Sequence, residues 1–146
     1  MWHNAYPKAA ARIRGGKEYP GLCGMVRFFP CCDGTVLEVE IAGLPRPESG
    51  FFGFHIHEGC CCEGEGFSET GSHLDPGQMP HPSHAGDLPP LLSDGGCAYM
   101  KVFTGRFSVE DIIGRTVVIH GSPDDFHTQP SGNAGSKIAC GVIRRI

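Results

Sequence analysis

Apolar and polar residues alternate in short runs along this chain. Residues 35–41 give the cleanest case, with Leu37, Val39 and Ile41 on one face and Glu38 and Glu40 on the other. A period of two is that of a β-strand with one buried face and one solvated face. Residues 9–17 repeat it, Ala11 and Ile13 against Arg12 and Arg14, and so do residues 22–29, Leu22, Val26 and Phe28 against Cys23, Met25 and Arg27. Asp33-Gly34 falls between two of these runs and is a hairpin signal. The pattern predicts a half-solvated antiparallel sheet.

The next run is Phe51-Phe52-Gly53-Phe54-His55-Ile56-His57. Read as a strand, it puts Phe52, Phe54 and Ile56 on one face and His55 and His57 on the other. Two imidazoles then stand side by side, as metal ligands from one strand would need. From 58 to 95 no strand or helix period survives, and Gly and Pro recur throughout. A loop of that length in a compact domain is often functional, and this one holds His73, His81, His84 and Asp87. It offers little apolar surface of its own, so a metal or a disulfide is expected to order it. Strands resume at 97–103, Asp111-Ile112-Ile113-Gly114 reads as a turn, and residues 115–120 form a β-branched strand ending at His120. A second loop covers 121–136, and a last strand covers 137–143. About eight short strands and two long loops make an all-β antiparallel sandwich or flattened barrel.

Composition narrows this picture. Twenty-two Gly and 12 Pro suit many turns, and no stretch has a sustained helical period. A chain of 146 residues fits one domain, expected over 9–146 behind an N-terminal arm at 1–8. The net charge of −4, with no long basic block, argues against a nucleic-acid surface. No apolar run is long enough to span a membrane. The first residues lack the apolar core of a signal peptide, so the chain as numbered reads as cytoplasmic, or as secreted or surface-bound if a leader was removed. Eight Cys sit awkwardly with the first reading, since structural disulfides belong to oxidising compartments.

The candidate ligands are His55, His57, His73, His81, His84, Asp87 and His120. Three imidazoles and a carboxylate suit tetrahedral zinc, and four imidazoles suit Cu(II). One zinc would not use them all; two metals sharing a bridging imidazolate would. Here the sequence resembles the copper/zinc superoxide dismutase family. The matching pieces are Gly53-Phe54-His55-Ile56-His57-Glu58, Gly71-Ser72-His73-Leu74-Asp75-Pro76, His81, His84-Ala85-Gly86-Asp87-Leu88, Ile113-Gly114-Arg115-Thr116-Val117-Val118-Ile119-His120, and residues 132–143 from Gly132-Asn133-Ala134-Gly135 to Cys140-Gly141-Val142-Ile143. They follow in family order and cover most of the chain from about residue 22.

The resemblance implies a Greek-key β-sandwich, a fold with which this enzyme is already associated. It implies copper on His55, His57, His73 and His120, and zinc on His73, His81, His84 and Asp87, with His73 as the bridge and proton donor. It places Asp124 as the carboxylate that orients one ligand of each metal, and it pairs Cys62 with Cys140. Cys62 is chosen over Cys60 and Cys61 by its distance from His55 in bacterial-type members. The implied activity converts superoxide to dioxygen and hydrogen peroxide, with superoxide as the partner molecule and a homodimer possible. Lys137 stands where the family has an anion-guiding Arg and keeps the charge without the forked donor geometry. Only Pro82-Ser83 separate His81 from His84, and the second loop is short, as in bacterial-type members. The rival readings are a metal-binding or copper-delivery protein and a copper-only dismutase. His3 and His127 match nothing and are expected at the surface. Cys31-Cys32 reads as a pair of free thiols, and Cys23 and Cys97 as core residues.

Overall fold

The computed structural model describes residues 3, 6–46 and 49–146. Part of the predicted arm (Met1, Trp2, Asn4, Ala5) and two residues of the connection after β3 (Pro47, Glu48) lie outside the described residues. Nine strands occur among those described: β1 Ala9–Gly15, β2 Cys23–Cys31, β3 Gly34–Ala42, β4 Phe51–Phe52, β5 Phe54–His57, β6 Leu91–Leu92, β7 Ala98–Thr104, β8 Thr116–His120 and β9 Lys137–Arg145. Seven of them form one antiparallel sheet in the order β5-β8-β9-β1-β2-β3-β7, while β4 pairs only with β6. The connections from β3 to β5 and from β7 to β8 cross between the two ends of this order, in Greek-key fashion.

The alternation in the sequence decides which way each strand faces. Ile13, Val26, Phe28, Leu37, Val39, Phe54, Ile56, Val117, Ile119 and Ile143 belong to one continuous buried cluster. Residues from both ends of the strand order meet in that cluster, so the sheet curls around a single core. A smaller cluster, Phe29, Cys31 and Val36, lies on the outward side of β2 and β3. The ring of His3 sits 5.2 Å from that of Phe29, so His3 is half-buried there.

Several expectations are corrected. The histidine strand is broken at Gly53, whose N–H donates to Ser122 O at 2.8 Å. A Cβ at Gly53 would come within 2.8 Å of Ala134 Cβ, so the chain bends there to meet the second long loop. The β2–β3 turn is Cys32-Asp33, because Cys31 already pairs with Gly34. Gly34 is needed inside the strand, where a Cβ would meet Thr104 O at 2.3 Å, and Cys32 takes the left-handed position at φ 46. Residues 111–114 contain the end of one α-helical turn, α1 Val109–Ile112, whose start is fixed by Ser108 donating its N–H and its hydroxyl to Asp111 Oδ2. Cys23 and Cys97 are exposed because their positions face outward at the sheet ends.

The first long loop also has more structure than its composition implied. It contains a kinked 3-10 turn, Glu65–Thr70, and the two residues of β6. It buries Leu74, Leu88 and Leu91 in the main core. These elements are too short to show a period; β6 is held by its pairing with β4, and the loop segments around Leu74 and Gly86 are held by backbone bonds to β5. Ile56 N–H donates to Gly86 O at 2.9 Å, and Leu74 N–H donates to Ile56 O at 2.8 Å.

Phe28 is fully enclosed by this core. Phe28→Ala is expected to lower the unfolding free energy by about 3–5 kcal/mol, read from denaturant melts of the metal-free protein. A loss under about 1 kcal/mol would mean that the core is not packed as described.

Candidate metal centre

Two edge-side strands supply three of the imidazoles. Their inward residues pair as Phe54↔Ile119 and Ile56↔Val117, which turns His55 and His57 to the outer face of β5. A register shift between Ile119 and His120 ends β8 and sets His120 beside them. The first long loop then lies against β5 as a partial strand, with bridges His57↔His73 and His55↔Asp87. Gly86 permits this approach, since a Cβ there would meet Ile56 O at 2.1 Å.

The result is two adjoining groups of ligand atoms. His55, His57, His73 and His120 form one, His73, His81, His84 and Asp87 the other, and within each group all ligand atoms lie within 4.8 Å of one another. All seven side chains are buried. Their hydrogen bonds show which atom is left over in each. His57 Nδ1 donates to Gly71 O at 2.8 Å, leaving Nε2, which is 3.2 Å from Nε2 of His120. His120 Nδ1 is held by Gly135 O at 3.3 Å. His55 Nε2 and His81 Nε2 contact the two oxygens of Asp124 at 2.7 and 2.8 Å. Nδ1 of His55 and Nδ1 of His81 have no hydrogen-bond partner, although the latter is 3.1 Å from Asp87 Oδ2. His73 belongs to both groups. Its Nδ1 lies 2.8 Å from Asp87 Oδ1 and 3.4 Å from His84 Nδ1, while its buried Nε2 has no partner.

Three orphaned imidazole nitrogens in one buried place would each cost on the order of 1–3 kcal/mol. Metal ions at the two groups would satisfy all three. Four imidazoles suit Cu(II), and three imidazoles with a carboxylate suit zinc, so the donor sets fit the two metals.

The electrostatics favour the ligating protonation states. Loss of water, reinforced by neighbouring imidazoles, lowers His57 to about 2, His55 to about 3 and His120 to about 4. Neutral imidazole is the form that binds metal. Burial works against ionised Asp87, but the His73 hydrogen bond and the adjacent histidines hold it down at about 2. Asp124 is likewise lowered, burial being outweighed by its bonds from His81 and His55.

The second long loop and the segment after β7 support these side chains. Asp124 spans one histidine of each group and also accepts from Phe126 N–H at 2.7 Å. Gly132, at φ 73, leaves room for it: a Cβ there would fall 2.0 Å from Asp124 Oδ1 and 2.6 Å from His81 Nε2. Gln129 pairs with the backbone of His81 through both amide atoms, each at 2.8 Å. Arg106 Nη1 donates to Pro82 O at 2.8 Å and His84 O at 3.1 Å, with Asp87 O at 3.4 Å. None of Gln129, Arg106 and Gly132 stands out in the sequence, because carbonyl clamps and close approaches have no local pattern. Lys137 Nζ donates to Thr70 Oγ1 at 2.7 Å and to Gly71 O at 3.1 Å. Cys62 is joined to Cys140, tying the first loop to β9. His127 is exposed beside Asp125, and neither it nor His3 joins the centre.

A curled Greek-key sheet carrying two buried donor sets that share one imidazole defines a two-metal β-barrel protein. Comparison with known proteins narrows the class. The sequence profile described as copper/zinc superoxide dismutase matches residues 23–143. A superoxide dismutase [Cu-Zn] of Deinococcus radiodurans is 33% identical over 144 residues, covering 84% of this chain and 78% of the relative. That of Caulobacter vibrioides is 31% identical over 153 residues, covering 93% and 84%. Superoxide dismutase [Cu-Zn] A of Xenopus laevis is 36% identical over 142 residues, covering 82% and 87%. The chain belongs to the copper/zinc superoxide dismutase family.

Two predictions follow from the supports and charges of the centre. Gly132→Ala is expected to push Asp124 off His55 and His81 and to weaken metal binding by about 10–100-fold in chelator competition. Unchanged affinity would show that Asp124 does not orient its two histidines. For pH, His55, His57 and His120 bind protons less well folded than unfolded, where the value is near 6.5. Their stabilisation is therefore complete above about 6.5 and is lost as pH falls toward the folded values. Asp87 and Asp124 add a loss below their ordinary value of 3.8. Urea midpoints of the metal-free protein should be flat from pH 7 to 8 and decline below about 6.5. A flat profile down to pH 4 would contradict this.

Proposed function

We propose that His55, His57, His73 and His120 hold copper, that His73, His81, His84 and Asp87 hold zinc, and that the protein dismutes superoxide. The observation that carries this reading is the His73 ring, with Nδ1 turned to one donor group and the unpartnered Nε2 turned to the other. A shared imidazole is what two metals in neighbouring sites require. When bound, copper supplies a reversible one-electron couple, and zinc supplies charge without redox chemistry.

The chain's own groups do the rest. Two superoxide ions and two protons become dioxygen and hydrogen peroxide. His73 holds a proton at Nε2 in one half of the cycle and gives it to the dioxygen species reduced in the other. His81, His84 and Asp87 would hold the zinc to which the opposite nitrogen is tied, which would keep the ring in place while its Nε2 proton comes and goes. Asp124 restrains His55 and His81 from outside, and Gly71 O restrains His57.

Lys137 takes the role of guiding cation. Its ammonium acts on His57 and His120 by charge, so its field reaches the first group. Thr70 and Gly71 hold it by two hydrogen bonds, and burial lowers its pKa. A fixed positive charge at the mouth of a site attracts a small anion, a principle for which this enzyme family is itself a standard case. Among the described residues no helix is long and apolar enough to cross a membrane.

The test is dismutase activity after reconstitution with copper and zinc, with His55→Ala alongside. Activity lost in the variant supports the reading. Two bound metals without activity would favour a metal-binding or copper-delivery role on the same fold, and copper bound without zinc a copper-only enzyme. Lys137→Ala is expected to lower kcat/KM by about tenfold and to flatten its decline with salt, while Lys137→Arg keeps or raises it. A Lys137→Ala enzyme with unchanged rate and salt response would remove Lys137 from the mechanism.

A further inference from the structure

The outward faces of β1 and β9 carry a basic groove away from the metal centre. Arg12 and Arg14 lie two apart on β1, and Arg144 of β9 pairs with Ala10, which shares their face. All three arginines are exposed, and among the described residues none has an ion pair or a side-chain hydrogen bond. They border one groove of about 500 Å³, together with Phe67 and the disulfide residues Cys62 and Cys140. No carboxylate lines this groove, although the chain carries a net charge of −4. The strand register puts Arg14 directly opposite Cys140. Such cross-strand neighbours have Cβ atoms about 4.5–5.5 Å apart, so the Arg14 side chain starts beside Cys140, and both border the groove. Cys140 is buried and Cys62 is partly exposed, which leaves Cys62 as the accessible sulfur.

We infer that this groove docks a small anionic thiol, a carboxylate-bearing peptide thiol, and delivers it to the Cys62–Cys140 bond. Arginines recognise carboxylates through forked hydrogen bonds, and three unpaired ones bordering a groove that no acid lines favour an anion over a neutral molecule; Glu40, which shares an adjoining cavity with Arg12 and Arg14, is held by Arg27. The disulfide specifies a thiol, because it is the group in the groove that a thiolate can attack. The docked thiolate forms a bond to Cys62 Sγ. The bond to Cys140 Sγ breaks, and its electron pair leaves on Cys140 as a thiolate beside Arg14. The products are a mixed disulfide at Cys62 and a free Cys140. A second thiolate of the same class then displaces Cys62 and leaves with the first as a small disulfide, so both protein sulfurs are reduced. A neighbouring cation stabilises the leaving thiolate and concentrates the attacking one.

The experiment uses the full chain loaded with copper and zinc. Glutathione is the anionic probe and 2-mercaptoethanol the neutral one, with rates of Cys62–Cys140 opening read per thiolate by quenched peptide mapping. At low salt glutathione is expected to be faster by about tenfold, an advantage that about 0.5 M salt removes. The unreactive S-methylglutathione should slow glutathione and leave 2-mercaptoethanol unaffected. In the triple variant Arg12→Gln, Arg14→Gln, Arg144→Gln the advantage should fall to near one, and the first adduct in the unsubstituted chain should sit on Cys62. Equal rates for the two thiols, no competition by S-methylglutathione, an advantage that survives in the triple variant, or an adduct only on Cys60 or Cys61 would each overturn the proposal. The competition experiment needs no substitution, so it decides the matter even if the triple variant folds poorly.

Discussion

A buried imidazole has two nitrogens, and each needs a partner once water is gone. That constraint organises this molecule. Five histidines and Asp87 surround one shared ring, and four of the outer nitrogens are tied down. Asp124 takes one from each group, and the carbonyls of Gly71 and Gly135 take two more. What remains is a small set of inward nitrogens whose only adequate partner is a cation. The loops, the glycines that let them approach and the carboxylate between them all serve to leave those atoms unsatisfied.

The supports are shared, and this couples functions that look separate. One carbonyl, Gly71 O, accepts from both His57 and Lys137. One carboxylate, Asp124, contacts a histidine in each group. One ring, His73, belongs to both. A displacement at any of these atoms reaches two groups at once, which is how a few shared atoms organise a centre of seven residues. Arg106 and Gln129 carry the same economy outward by gripping the backbone of the ligand loop instead of its side chains.

Much of this was legible in the chain. Alternation along residues 35–41 and 51–57 set the buried faces and turned His55 and His57 outward, because a period of two leaves few alternatives. The Asp33-Gly34 signal lay one residue late, since Gly34 answers to a close neighbour on β7 and not to the turn. The short strand Leu91–Leu92 and the turn Glu65–Thr70 were invisible because their stability comes from partners distant in sequence. Cys23 and Cys97 looked like core residues by type, and their exposure follows from their face of the sheet. Long-range closeness also explains why Gly132 could not be singled out: its importance is a contact with Asp124, not a property of its own segment.

The pairing of the first loop with β5 has a consequence beyond ligation. β5 lies at one end of the seven-strand order, and its free side is covered by the segments around His73 and Gly86. An uncovered strand at that position would present a row of open amides and carbonyls, a template on which a second chain could add. The ligand loop is therefore also the guard of a sheet edge. Whatever keeps it seated, the buried leucines, the disulfide or a bound ion, protects the protein from self-association by the same contacts that build its chemistry.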